Sequence, residues 1–199
     1  MSTAPQNPYG NITFNLSNGN LSYNPQTGQY VFNTVPCYNE GTKILCLIND
    51  IEEYKEIEKL RKGDLVKTVK DGYKKIDLIG KKNLFNNPLS ESNCMYKISN
   101  ENDELYVTGE HMILSNEIEN ITINEKYKHF YDLNYTVDGY KCILALDIGE
   151  KILNKNKYTI YHLVLESDNG KHFGIYANNI LSESTNKDNF IKSNFEILN

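Results

Sequence analysis

No apolar run in this chain approaches the ~18–20 residues that a membrane-spanning helix requires, so no membrane partner is expected. The opening residues, Met1-Ser2-Thr3-Ala4-Pro5-Gln6, offer neither a basic n-region nor an apolar h-region. They do not read as a secretory signal, and an intracellular location is the expectation. Positive charge is also scarce: 21 Lys and Arg stand against 26 Asp and Glu, a formal net charge of −5. With no basic stripe to neutralise phosphates, nucleic acid is not an expected partner.

Cysteine pairs are missing as well. Cys37, Cys46, Cys94 and Cys142 are widely spaced and form no C-x-x-C. Without an export signal, a disulfide framework is not expected. His111, His129, His162 and His172 form no H-x-x-x-H and pair with no cysteine at zinc-ligand spacing, so neither a metal nor another cofactor is expected. Helical periodicity is absent too, in that no segment longer than about 12 residues sustains it.

What is present suits one domain with tails. The chain has 199 residues, 39% of them hydrophobic, with 15 Tyr and 7 Phe, enough for a sizeable core. Residues 1–36 are polar and punctuated by turn dipeptides, with short strands expected at Ile12-Thr13-Phe14-Asn15-Leu16 and Tyr30-Val31-Phe32. Beyond them, short strands dominate. Lys43 to Ile48 is one. Leu65 to Val69 turns at Lys70-Asp71-Gly72 into a return strand or strands from Tyr73 to Leu84, with Gly80 as a bend. Met95 to Ser99 and Glu104 to Thr108 form a second hairpin, and Met112 to Leu114 continues from it. Lys141 to Leu146, Tyr158 to Glu166 and His172 to Leu181 complete the set, the last two joined as a hairpin by Asp168-Asn169-Gly170. Ile51 to Leu60 reads as a charged stretch and Ser115 to Asn134 as a loop or small insertion. The expectation is an all-β sandwich or barrel-like fold.

Cys37 sits at the border between the turn-rich leader and the first apolar strand. That is where a thiol would stand if it attacked the peptide bond just before it. Breaking a backbone amide from within needs a nucleophile beside the carbonyl and a proton donor for the departing nitrogen. Connectivity alone places Cys37 next to the Pro36–Cys37 bond, and a correctly held neighbour commands effective molarities of ~10⁵ M or more. His111 is a candidate donor, since its side chain titrates near neutrality. Thr108, three residues earlier, can hydrogen-bond the same peptide. The same residues have plain alternatives: a cysteine at a strand entrance is commonly a small buried hydrophobe, and His111 between strands can be a core histidine.

Taken together, these blocks resemble the Hint domains, the autoprocessing domains of inteins and Hedgehog proteins. The likeness rests on Cys37-Tyr38-Asn39-Glu40-Gly41-Thr42-Lys43-Ile44, on Glu58 to Val66, and on Leu105-Tyr106-Val107-Thr108-Gly109-Glu110-His111. It continues through Tyr161-His162-Leu163-Val164-Leu165 and His172-Phe173-Gly174-Ile175-Tyr176-Ala177 to Leu181. The resemblance implies a compact pseudo-twofold horseshoe of β-hairpins. It implies a leader at 1–36, a Hint-like autoprocessing domain at 37–184 and a polar tail at 185–199. It also implies that Cys37 is the acyl-shift nucleophile and that Thr108 and His111 polarise the scissile amide and protonate its nitrogen. The substrate would be the chain's own N-terminal segment, with water or an external nucleophile as acyl acceptor.

Two departures narrow this expectation. No Asn stands where Ile180-Leu181 runs into Ser182-Glu183-Ser184-Thr185, so protein splicing is not expected. His162 replaces the Asp common in its block, and its role stays open, as does that of His172. The competing expectation is a Hint fold without turnover, serving as a structural or interaction module. A weaker third is a cysteine hydrolase acting on other chains.

Overall fold

The computed structural model describes residues 20–24, 29–33, 36–116, 121–128, 131, 134–167 and 170–199. The strand expected at Ile12 to Leu16, residue His129 and the Asp168-Asn169 part of one turn lie outside them. Strands β1 (Asn20–Asn24) and β2 (Gln29–Asn33) pair antiparallel as a separate two-stranded sheet. Every other strand belongs to one large antiparallel sheet, so the fold is all-β. No helix among the described residues is long and apolar enough to cross a membrane.

The sheet is built around two long strands, β7 (Tyr73–Phe85) and β14 (Lys157–Leu165), paired along their length. β7 begins as the partner of β6 (Leu65–Lys67), across the expected turn in which Gly72 takes φ 68°. β14 carries on its other edge the two-residue strand β3 (Tyr38–Asn39), which in turn abuts β9 (Glu104–Thr108). β9 forms the expected hairpin with β8 (Met95–Ser99). The residues beside the proposed scissile bond are thereby held between two strands from distant parts of the chain.

Three expectations need correction. Tyr158 to Glu166 does not form a hairpin with His172 to Leu181. β14 pairs with β7 and β3, while the later stretch folds on itself as β15 (Gly174–Ala177) and β16 (Ile180–Glu183). The cause is Asn178-Asn179, at φ 44° and 58°. Asparagine tolerates the left-handed conformation that both central residues of a type I′ turn need.

Gly80 is not a bend. It lies inside unbroken β7, where an added Cβ would fall 2.6 Å from the Cβ of Phe195 and 2.9 Å from the carbonyl oxygen of Glu196. Glycine is needed for that close approach, not for flexibility.

Nor is 185–199 a polar tail. Asn186 caps a short helix, α1 (Lys187–Lys192), its side-chain oxygen accepting from the Asn189 amide at 2.8 Å. A last strand, β17 (Glu196–Ile197), then pairs with β7. Phe190 of α1 and Phe195, just before β17, stack with centroids 4.8 Å apart. Both enter a buried apolar cluster with Cys37, Leu84, Met95 and Ile160. Two aromatics five residues apart anchor this segment, too few to make a recognisable period in sequence. Phe190→Ala is expected to cost about 3–5 kcal/mol by cavity formation, read as a lowered denaturant midpoint. A loss under about 1 kcal/mol would mean that this segment is not packed in solution.

Candidate active site at the Pro36–Cys37 junction

Cys37 precedes β3 in extended chain, so its side chain and that of Tyr38 leave on opposite faces. Cys37 enters the cluster covered by Phe190 and Phe195, while Tyr38 enters the main core. Both are fully buried.

Thr108, the last residue of β9, grips Cys37 from both sides. Its Oγ1 accepts from the Cys37 backbone N–H at 2.9 Å, and its own N–H donates to the Cys37 carbonyl at 3.0 Å. The nitrogen that would depart in cleavage is thus the one Thr108 holds. A tight turn follows, in which the His111 N–H donates to the Thr108 carbonyl at 3.0 Å. Gly109 permits it, because a Cβ there would lie 2.3 Å from the Glu91 carbonyl oxygen.

The turn brings the His111 imidazole against Tyr38, with ring centroids 4.3 Å apart. His162 completes the group, 5.6 Å from His111 and 5.7 Å from Tyr38. Both histidines have no solvent exposure, and none of their four ring nitrogens has a hydrogen-bond partner among the described residues. Tyr38 is pinned by its hydroxyl, which donates to the Glu183 carbonyl at 2.6 Å and meets Ser182 Oγ at 2.8 Å.

Electrostatics follow burial. Desolvation pushes the Cys37 thiol up to about 12, with the Lys82 charge acting the other way. Desolvation alone brings His111 down to about 3. His162 is also held well below its ordinary value, first by burial and then by its electrostatic coupling to His111, His172 and Lys82. The resting site therefore holds a thiol and two neutral imidazoles. Each neutral imidazole has one nitrogen able to accept a proton and one able to donate.

A second polar group lies behind Tyr38. The Glu183 carboxylate, fully buried, accepts from the Met112 amide at 3.1 Å and meets His172 Nδ1 at 2.7 Å. Burial raises the Glu183 pKa, opposed by its hydrogen bond with His172. Burial lowers that of His172, but the hydrogen bond and charge of Glu183, with the Ser184 carbonyl, carry it above the ordinary value. The Asn186 amide nitrogen faces His172 Nε2 at 2.9 Å, tying this pair to the cap of α1.

Of the residues singled out in sequence, Thr108 contacts Cys37 directly, and His111 reaches the ring of the following residue. His162, whose role stood open, joins His111, whereas His172 belongs to the separate Glu183 pair. Sequence reasoning missed Tyr38, Lys82 and Glu183. Glu183 left one signal, an acid closing the apolar strand Ile180-Leu181-Ser182. Among the described residues no group of three or more His, Cys, Asp and Glu gathers as a metal site.

No protein-family model matches the chain, and no curated protein does. Among solved structures it is similar to the gp41-1 intein, at 20% identity over 75% of this chain and 98% of that one, with a TM-score of 0.41. It is similar to the VidaL intein at 15% identity over 78% of this chain and 100% of that one, with a TM-score of 0.40. It is also similar to a bacterial intein-like domain from Clostridium thermocellum, at 10% identity over 77% of this chain and 100% of that one, with a TM-score of 0.47.

Proposed function

We propose that this chain is a self-processing domain that cleaves its own backbone between Pro36 and Cys37. The observation that carries the reading is the grip of Thr108 on the Cys37 amide nitrogen, 2.9 Å from Oγ1. A distant hairpin is folded onto the one bond that connectivity gives the thiol. The Hint-like blocks around Cys37, Thr108 and His111 support it from sequence.

In this reading the Cys37 sulfur bonds to the Pro36 carbonyl carbon, and the carbon–nitrogen bond breaks. The proton that the thiol gives up is balanced by the one that the freed amine gains, and His111, packed on Tyr38 across the strand from the sulfur, serves that nitrogen. Residues 1–36 are then held as a thioester. Water or an external nucleophile attacks it, releases the leader and restores the thiol. The first side-chain amide after β16, Asn186, caps α1 and runs on into it, so splicing is not part of this reading. Pro36 restricts the scissile carbonyl, and the shift is correspondingly slow.

The full burial of Cys37 beneath Phe190 and Phe195 favours the second reading, a domain of the same fold without turnover. Intact mass after incubation with hydroxylamine or a small thiol separates the two. Self-processing predicts loss of residues 1–36 from the wild type and a full-length Cys37→Ala variant. If both stay full-length, the domain does not process itself.

A further inference from the structure

Lys82 differs from its neighbour on the same strand. Its neighbour Lys81 is paired with Glu196 at 3.4 Å, whereas no carboxylate lies within ion-pair distance of Lys82 among the described residues. Its ammonium instead sits over the ring of Phe195, 4.9 Å from the centroid. Phe195 is part of the apolar cluster that contains Cys37.

Sheet register explains how the charge comes to be there. Ile160 on β14 is the Cα partner of Lys82 on one side and of Asn39 on the other. Aligned residues on neighbouring strands share a face, and so do residues two apart along one extended chain. Lys82, Ile160 and Cys37 therefore belong to one face of the sheet, and Cys37 and Ile160 share one cluster. An ammonium on an aromatic ring keeps its charge while shedding part of its water, so its field reaches further into an apolar surrounding.

We propose that Lys82 is a positioning residue for the acyl shift: its ammonium, held on Phe195, is the cation that stabilises the Cys37 sulfur as an anion while it attacks the Pro36 carbonyl. This rests on the self-processing reading. No new bond forms to Lys82. The proton that the thiol loses is balanced by the one gained by the freed amine, and Lys82 takes no part in proton transfer. The Lys82 charge acts on that thiol in the direction opposite to burial. Phe195 has the complementary task of fixing the stem, so that the charge stays near the cluster and not in bulk water.

The test is the rate of hydroxylamine-stimulated release of residues 1–36 by the full chain, measured by intact mass between about pH 6.5 and 9.5. Lys82→Met is expected to slow release about tenfold wherever the rate rises with pH, the effect of one unit in thiol pKa. Lys82→Arg, which restores the charge, is expected to recover most of that loss. Melting temperatures are followed alongside. Where Lys82→Met does not fold, Lys82→Gln against Lys82→Arg gives the same comparison. The proposal falls if the neutral variants release the leader as fast as the wild type. It falls equally if Lys82→Arg is as slow as Lys82→Gln at equal melting temperature. Absence of release from the wild type would be a different failure, that of the self-processing reading itself.

Discussion

Replacing His111 with phenylalanine is expected to slow release of residues 1–36 by about 10²–10⁴-fold, the range for loss of a positioned acid–base group. The same change is expected to leave stability unaltered or raise it by about 1–3 kcal/mol, because it removes buried nitrogens that lack partners. Both expectations come from one feature. The imidazole is fully buried against Tyr38, yet neither nitrogen has a hydrogen bond among the described residues. For a histidine whose task is packing, that arrangement costs free energy and returns nothing that an aromatic ring would not supply. For a proton carrier, nitrogens left unoccupied are what the reaction requires. Phenylalanine keeps the edge-on contact with Tyr38 and discards the chemistry. Denaturant unfolding and intact mass on the same preparation decide the matter. Parallel loss of stability and cleavage would make His111 a structural residue. Thr108→Val is the companion variant: it leaves the Cys37 N–H buried without its acceptor, at a cost of about 1–3 kcal/mol, and frees the amide that Thr108 orients.

The strands around the site were legible because they bury one or both faces. Lys43 to Ile48, Glu104 to Thr108 and Tyr158 to Leu165 carry apolar residues at the density of core strands, and the structure places each in the sheet. β5 (Ile51–Glu56) was not legible. It pairs with β4 (Lys43–Ile48) through a turn at Asn49-Asp50, but it buries neither face fully, so its sequence Ile-Glu-Glu-Tyr-Lys-Glu shows only charge. The ordered end of the chain was illegible for another reason. Its anchors, Phe190 and Phe195, have meaning only beside Gly80, more than a hundred residues earlier, which gives them room. The site divides in the same way. Cys37, Thr108 and His111 stand out through local motifs. Lys82 and Glu183 become functional candidates only once strand register sets one across from Ile160 and folding buries the other against His172. Long-range register is not written in any single segment.

Acidification is expected to destabilise this protein well above the pH at which its carboxylates titrate, because of His111 and His162. In the unfolded chain both take up a proton near pH 6.5, whereas the folded site keeps His111 neutral down to about 3 and His162 neutral well below its ordinary value. Below pH 6.5 the unfolded state therefore binds more protons, and stability falls with pH at about 1.4 kcal/mol per unit for each such group. Glu183 works in the opposite direction. Its pKa is raised in the fold, so the native state holds the extra proton, and stability grows as pH falls from that raised value to the ordinary 4.5. The raised pKa of His172 adds a gain of the same sign, largely complete once pH has fallen to the ordinary 6.5. Two histidines against one carboxylate leave a net loss approaching one proton between pH 6.5 and 4.5, or about 1–3 kcal/mol over that interval. Below 4.5 the Glu183 gain is complete and the slope steepens, with the exposed pairs of Asp71 with Lys171 and Asp77 with Lys187 losing their carboxylate charge in the same direction. Denaturant unfolding at half-unit steps from pH 7.5 to 4 measures the slope. His162→Phe should flatten it by about one proton below pH 6.5, whereas His172→Phe should steepen it just above that pH. A wild-type stability that stays level from pH 7 to 5 would mean that the two imidazoles reach solvent and are not the sealed, neutral pair on which the proposed proton transfer depends.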